Sequence, residues 1–212
     1  PQGRLTTMTD FDGNTTTIER GPDGQPRAIV GPFGQRTTLT VNADGYVTRA
    51  TSPGGRVTEL TPGPGGLLEA VKDPNGNVRT MTYNDKGRLI RTSDPAGGFV
   101  TSTRTDFEQG DFEVRQTTSL GRTATSHVEN LPEGGRRLTQ TAPDGTQTTI
   151  EVEPDGTRTV TGPDGTVSVT RLTSDLRFGM QAAYVASASV TTGGLTANTT
   201  SNRSVILSNP AN

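Results

Sequence analysis

The 212-residue chain has no cysteine, no tryptophan and one histidine, and only 28% of it is hydrophobic. Without cysteine there are no disulfide staples, a composition that fits a bacterial secreted protein as readily as a cytosolic one. A lone His127 leaves a serine triad one possible base and excludes metal sites built from histidine clusters. Aromatic residues make up 4% of the chain, too few, with so little other apolar content, for a thick core. Charge is balanced at 20 Lys and Arg against 22 Asp and Glu, interspersed, so nothing draws the protein to nucleic acid or to an acidic membrane surface. No apolar run is long enough to span a bilayer and no signal peptide is present, so the chain reads as a piece of a longer protein.

What the chain has instead is glycine, 27 residues, and threonine, 39 residues. Threonine is β-branched, prefers strands and tolerates water. The glycines that close turn signals stand at Gly13, Gly24, Gly34, Gly45, Gly55, Gly66, Gly76, Gly87 and Gly97, in alternating steps of 11 and 10. Each step holds one strand and a turn, so the 21-residue unit is one β-hairpin and the array is a meander. Five residues after the first glycine of each unit stand Ile18, Leu39, Leu60 and Met81, flanked by Thr17, Thr38, Glu59 and Thr80 on one side and Glu19, Thr40, Thr61 and Thr82 on the other. This period-two alternation predicts one apolar column, Ile18, Leu39, Leu60 and Met81, on one face of the sheet. The second strand repeats it with Pro26, Val47, Leu68 and Leu89 and with Ile29, Ala50, Val71 and Thr92.

The expected organisation is hairpin repeats over residues 1–99, a divergent continuation over 100–172, where "PDGT" turns recur, and a distinct hairpin tail over 173–212. Within that tail the stretch from Leu176 to Leu207 reads as two longer strands joined at Gly193-Gly194. The fold class is all-β, a repetitive antiparallel hairpin ribbon of sixteen to eighteen strands.

The stretch "DPNGNVRTMTYNDKGRLIRTSDP", residues 73 to 95, resembles the YD repeat of the RHS and teneurin family. Asp73, Pro74, Gly76, Asn77, Tyr83, Gly87, Arg88, Leu89, Asp94 and Pro95 carry the likeness, and Asn84 replaces the aspartate of the tyrosine-aspartate pair. The resemblance implies a β-ribbon coiling into a hollow shell, with the remainder of a parent repeat protein as partner and, in bacterial members, an enclosed toxin domain. It also implies a secreted or cell-surface bacterial protein. The family's self-cleaving protease is not implied, because Asn77 and Gly98 stand where its Asp-Pro-x-Gly-Leu motif has leucine.

Residues with chemistry of their own are few. His127 reads as a strand residue. "DFDGN" places Asp10, Asp12 and Asn14 at alternate positions, as calcium loops do, but Asp-Gly is the ordinary hairpin dipeptide and no distal bidentate glutamate follows at the right distance. Glu151 and Glu153 share the alternation of a solvated strand face, with no aromatic platform beside them. "TPGPGGLL" lacks the lysine of a phosphate loop. Asn14, Asn198 and Asn202 begin glycosylation sequons, which matter only in a secreting eukaryote. The chain is therefore expected to be no enzyme and to need no cofactor or metal. Two functions fit: a structural shell segment enclosing a toxin or other polypeptide, or an extracellular adhesion or carbohydrate-binding module. The first strand, "GRLTTMTDF", is nearly uncharged and unguarded, which predicts edge-to-edge self-association when its neighbour is missing.

Overall fold

The structure, a computed structural model, describes residues 3–206. It is the all-β antiparallel meander that the turn cadence predicts, with eighteen strands among those residues. Among the described residues the only helical pieces are single 3-10 turns at Pro64–Gly66 and Glu108–Gly110. No helix among the described residues is long and apolar enough to cross a membrane. Leu207, the last residue of the expected tail hairpin, lies outside the described residues.

The chain forms two compact units, Pro1–Thr101 and Ser102–Asn212. The first contains β1 (Thr7–Thr9), β2 (Thr15–Arg20), β3 (Pro26–Val30), β4 (Arg36–Val41), β5 (Val47–Thr51), β6 (Val57–Pro62), β7 (Leu68–Lys72), β8 (Val78–Tyr83) and β9 (Leu89–Ser93). β10 (Phe99–Asp106) begins there, pairing Phe99 with Ser93 of β9. The second unit contains β11 (Phe112–Thr118), β12 (Thr123–Asn130), β13 (Arg136–Thr141), β14 (Gln147–Val152), β15 (Thr157–Thr161), β16 (Val167–Asp175), β17 (Gly179–Thr192) and β18 (Leu195–Thr200). In each unit consecutive strands pair antiparallel.

The 21-residue period has a simple local origin. A six-residue strand, a five-residue turn, a five-residue strand and another five-residue turn follow one another, as in β4, Asn42–Tyr46, β5 and Ser52–Arg56. In each turn the first residue donates its N–H to the carbonyl of the fifth, and the glycine at position four donates to the carbonyl of the first. That glycine must take positive φ, 88° at Gly76 for example, a conformation that a Cβ penalises.

The unequal steps of 11 and 10 mark something the alternation alone does not show. Hairpins closed at Gly21, Asn42, Gly63 and Asn84 each carry a β-bulge, and those closed at Gly31, Ser52 and Asp73 carry none. Thr61 pairs with Ala70 and Pro62 with Leu68, so Glu69 is extra; Arg27, Thr48 and Ile90 are its counterparts. A bulge sets two residues against one, which keeps the side chains beyond it on their proper face.

The second unit runs from β11 to β16 without a bulge, and two register shifts follow in β16 against β17. Gly193 and Gly194, at φ 55° and 80°, form the two-residue turn between β17 and β18, as a primed hairpin turn requires.

Within each unit the sheet is one layer thick, since almost every described side chain stays partly exposed. Among the described residues only Ala28 and Asp175 are buried. Ala28 lies between Glu19 and Thr38 in the ladder, and the ion pair of Glu19 with Arg36 passes over its strand from both sides. Elsewhere apolar side chains are shielded only by same-face neighbours, so stability accumulates from cross-strand pairs of about 0.2–1 kcal/mol each.

Candidate functional site

The sheet's two faces differ in chemistry. Ile18, Leu39, Leu60 and Met81 are all half-buried and pair directly with Ile29, Ala50, Val71 and Thr92. In the second unit the corresponding row is continuous: Phe112, Val128, Leu138, Ile150 and Val160 stand opposite one another across five strands. Glu19, Glu59, Glu113, Glu129 and Glu151 each neighbour a member of these rows in sequence. Period-two geometry therefore places these five strand glutamates on the other face.

There four of them, Glu19, Glu59, Glu129 and Glu151, meet cations. Lys72 Nζ lies 3.1 Å from Glu59, and Arg137 sits between Glu129 and Glu151, at 3.5 and 2.5 Å. The Glu151 hydrogen bond to the Arg137 guanidinium raises the arginine's pKa. Glu151 is thus engaged, and Glu153 lies beyond the end of β14 in the following turn, donating its N–H to Thr157. Both residues line one open cavity together with Arg137, Glu133 and Pro154. His127 stands opposite Glu113, and its ring stacks on Phe107 at 5.5 Å between centroids.

The repeat-motif residues build turns and ties. Asp73 Oδ1 accepts the N–H groups of Asn75 and Asn77 at 2.8 and 2.9 Å, and Oδ2 accepts Asn77 Nδ2 at 2.8 Å. The bond from the Asn77 side chain comes first among the causes that hold the Asp73 pKa below the ordinary carboxylate value. One repeat on, Asp94, followed by Pro95, closes its turn the same way, accepting from Ala96 and Gly98. Asn84 accepts from Lys86 and Arg88, so an amide performs the turn closure at the position where the repeat pattern has aspartate. Asp10 spends both oxygens on Asn14, whose side-chain amide is the main cause of its lowered pKa. Among the described residues no group of three acidic, histidine or cysteine side chains could hold a metal ion.

Tyr83 ends β8 opposite Leu89, and its hydroxyl donates to the carbonyl of Leu68 at 2.8 Å, 15 residues back. It thereby holds the bulged start of the preceding hairpin. Arg20, three repeats earlier at the same place, donates to the carbonyl of Leu5 at 3.0 Å, also 15 residues back. Two unlike side chains thus make the same tie, which no alternation pattern reveals. Along the same margin a side chain 20 residues upstream covers the turn glycine: Tyr46 lies on Gly66 and Leu67 on Gly87. A Cβ on Gly66 would enter the Tyr46 ring.

Asp175, 7% exposed, escaped the sequence reading. It accepts the N–H groups of Arg177 and Phe178 and pairs with Arg203 at 3.4 Å. The Arg177 amide is the first cause of its lowered pKa. Arg203 also lies over the Tyr184 ring at 4.5 Å, so the segment after β18 is held along β17.

Fold and repeat chemistry agree with the sequence comparison. The chain belongs to the teneurin YD-shell family, whose model matches residues 1–211. No curated protein sequence matches it. Solved structures that resemble it include the crystal structure of TcdB2-TccC3-TEV, at 14% identity over 90% of this chain and 15% of that one, with a TM-score of 0.34. The crystal structure of TcdB2-TccC3-Cdc42 matches at 14% identity over 94% of this chain and 14% of that one, TM-score 0.34. A Photorhabdus luminescens Tc holotoxin pore with a mutated TccC3 matches at 14% identity over 89% of this chain and 14% of that one, TM-score 0.34. This chain spans about one-seventh of the length of those chains.

Proposed function

We propose that the chain is a non-catalytic wall segment of a secreted or cell-surface bacterial YD-shell protein, and that the assembled shell encloses a toxin or other polypeptide. The observation that carries this reading is how the ionisable groups are used. Turn aspartates close turns, and Glu19, Glu59, Glu129 and Glu151 lie in ion pairs along one face. The sheet thus spends its polar chemistry on being a sheet. The partner of such a wall is the neighbouring part of the parent protein, whose strands would continue the ladder beyond this segment.

Limited proteolysis of the parent chain tests the reading. The enclosed polypeptide resists protease while the wall is folded and becomes cleavable when Gly66→Val and Gly87→Val disrupt two turns of one margin. An enclosed segment cut at the same rate in both proteins would rule out enclosure and favour an adhesion module.

A further inference from the structure

The apolar face of the second unit carries cations without counterions. On β11 to β15 and as far as Arg171 of β16, the registers place Phe112, Val114, Val128, Leu138, Ile150, Val152 and Val160 on that face together with Arg136 and Arg158. Glu113, Glu129 and Glu151, the carboxylates of those strands, all lie on the other. Arg136 and Arg158 both stand directly opposite Val152, one on each side. Both are exposed, and Val152 between them is 41% exposed. Neither guanidinium makes an ion pair or side-chain hydrogen bond among the described residues, whereas Arg137, pointing the other way, has two carboxylates.

We infer that this face docks a polypeptide segment in which two carboxylates about three residues apart flank apolar side chains. Two strand spacings separate the arginines by roughly 10 Å, and in a polyproline-II segment side chains three residues apart share one side at about 9 Å. Carboxylates at those positions would pair with Arg136 and Arg158, and the apolar residues between them would cover Val152 and the row beside it. Each arginine offers a planar fork suited to a carboxylate. A polyphosphate is disfavoured, because the apolar Val152 stands between the two arginines and a phosphate chain has no apolar group to cover it. The inference rests on the wall reading and adds to it which face meets the enclosed polypeptide and by what chemistry.

The test uses the 212-residue chain and a fluorescein-labelled peptide of repeated Glu-Leu-Leu-Glu, followed by fluorescence anisotropy. The peptide binds, and Arg136→Glu with Arg158→Glu weakens it at least tenfold while improving binding of a Lys-Leu-Leu-Lys peptide. Thr139→Glu with Thr159→Glu, on the opposite face, leaves both affinities unchanged, and circular dichroism confirms that each variant folds. Equal binding of the two peptides to the unaltered chain, loss of binding in the threonine variant alone, or preference for a single-stranded oligonucleotide overturns the inference. Protease protection in the parent without peptide binding defeats this inference and leaves the wall standing. Peptide binding without protection defeats the wall.

Discussion

The two units solve one problem, holding a single-layer sheet together, in different ways. In the first, every second hairpin contains an extra residue, the turns close mostly through an acceptor at their first position, and long side chains tie one hairpin to the next. Its apolar column is interrupted, because Val71 faces Arg79 on its far side. The second unit has no bulge from β11 to β16, and its Asp144, Asp155 and Asp164 close turns from the third position, with Thr146, Thr157 and Thr166 donating. Its apolar row is unbroken. Where the row is interrupted, ties such as Tyr83 to Leu68 add cohesion between hairpins; the continuous row carries its own tie in Asn130, which donates to Asp111 and to the carbonyl of Gln109.

The widest gap between the units should appear on deleting one residue. Removing Glu69 leaves Leu68 opposite Pro62 and Ala70 opposite Thr61, each on its own face, because Glu69 is the surplus residue of a bulge. Removing Thr149 forces either Ile150 or Thr148 onto the wrong face of an unbulged ladder. Urea denaturation should show a loss of about 1 kcal/mol for the first deletion and more than about 3 kcal/mol for the second. Similar losses would mean that the bulge is not slack in the register.

Next in size is a charge in the apolar rows. Ile150→Asp should cost about 2–3 kcal/mol and Leu60→Asp about half that, since Ile150 has apolar residues on both sides and Leu60 on one. Thr149→Asp and Thr61→Asp, on the opposite face, should each cost less than their neighbours. Thermal melts that rank the threonine variants as the more damaging would shift the face assignment by one residue.

Tyr83→Phe isolates a tie. Removing its hydroxyl takes the donor from the Leu68 carbonyl and should cost about 1 kcal/mol, with protection of amides near Leu68 in hydrogen exchange falling first. Unchanged exchange there would show that the tie contributes nothing to the bulged margin.

The smallest effect is acid sensitivity. Asp10 and Asp73 in the first unit and Asp144, Asp155, Asp164 and Asp175 in the second have pKa values below the ordinary carboxylate value. Side-chain donors lead in Asp10, Asp73 and Asp144, and backbone amides in Asp155, Asp164 and Asp175. Folding favours the ionised form of each. Their contribution is complete above the unfolded value near about 3.9 and is lost as pH falls through the lower folded values. Hydrogen exchange below about pH 4 should therefore loosen the second unit more than the first, where Asn42, Ser52 and Asn84 close turns without a charge.

Much of this was legible because much of it is local. The turn glycines and the acceptors Asp73 and Asp94 act on partners two to four residues away, so their spacing in the sequence is their geometry. Ile18, Leu39, Leu60 and Met81 share a face for an equally local reason, the period of two along a strand. Asp175 was not legible, because one of its partners, Arg203, is 28 residues away. Nor was the likeness of Arg20 and Tyr83, whose side chains share nothing but reach.

By itself the sequence determined where the chain turns, which residues alternate and which repeat family it resembles, since backbone sterics and short-range hydrogen bonds act within five residues. Only the tertiary structure decided which hairpins bulge, which rows run unbroken, and which cations are left without a carboxylate. Those depend on the register of one strand against the next, and register is a pairing between residues that no single strand contains.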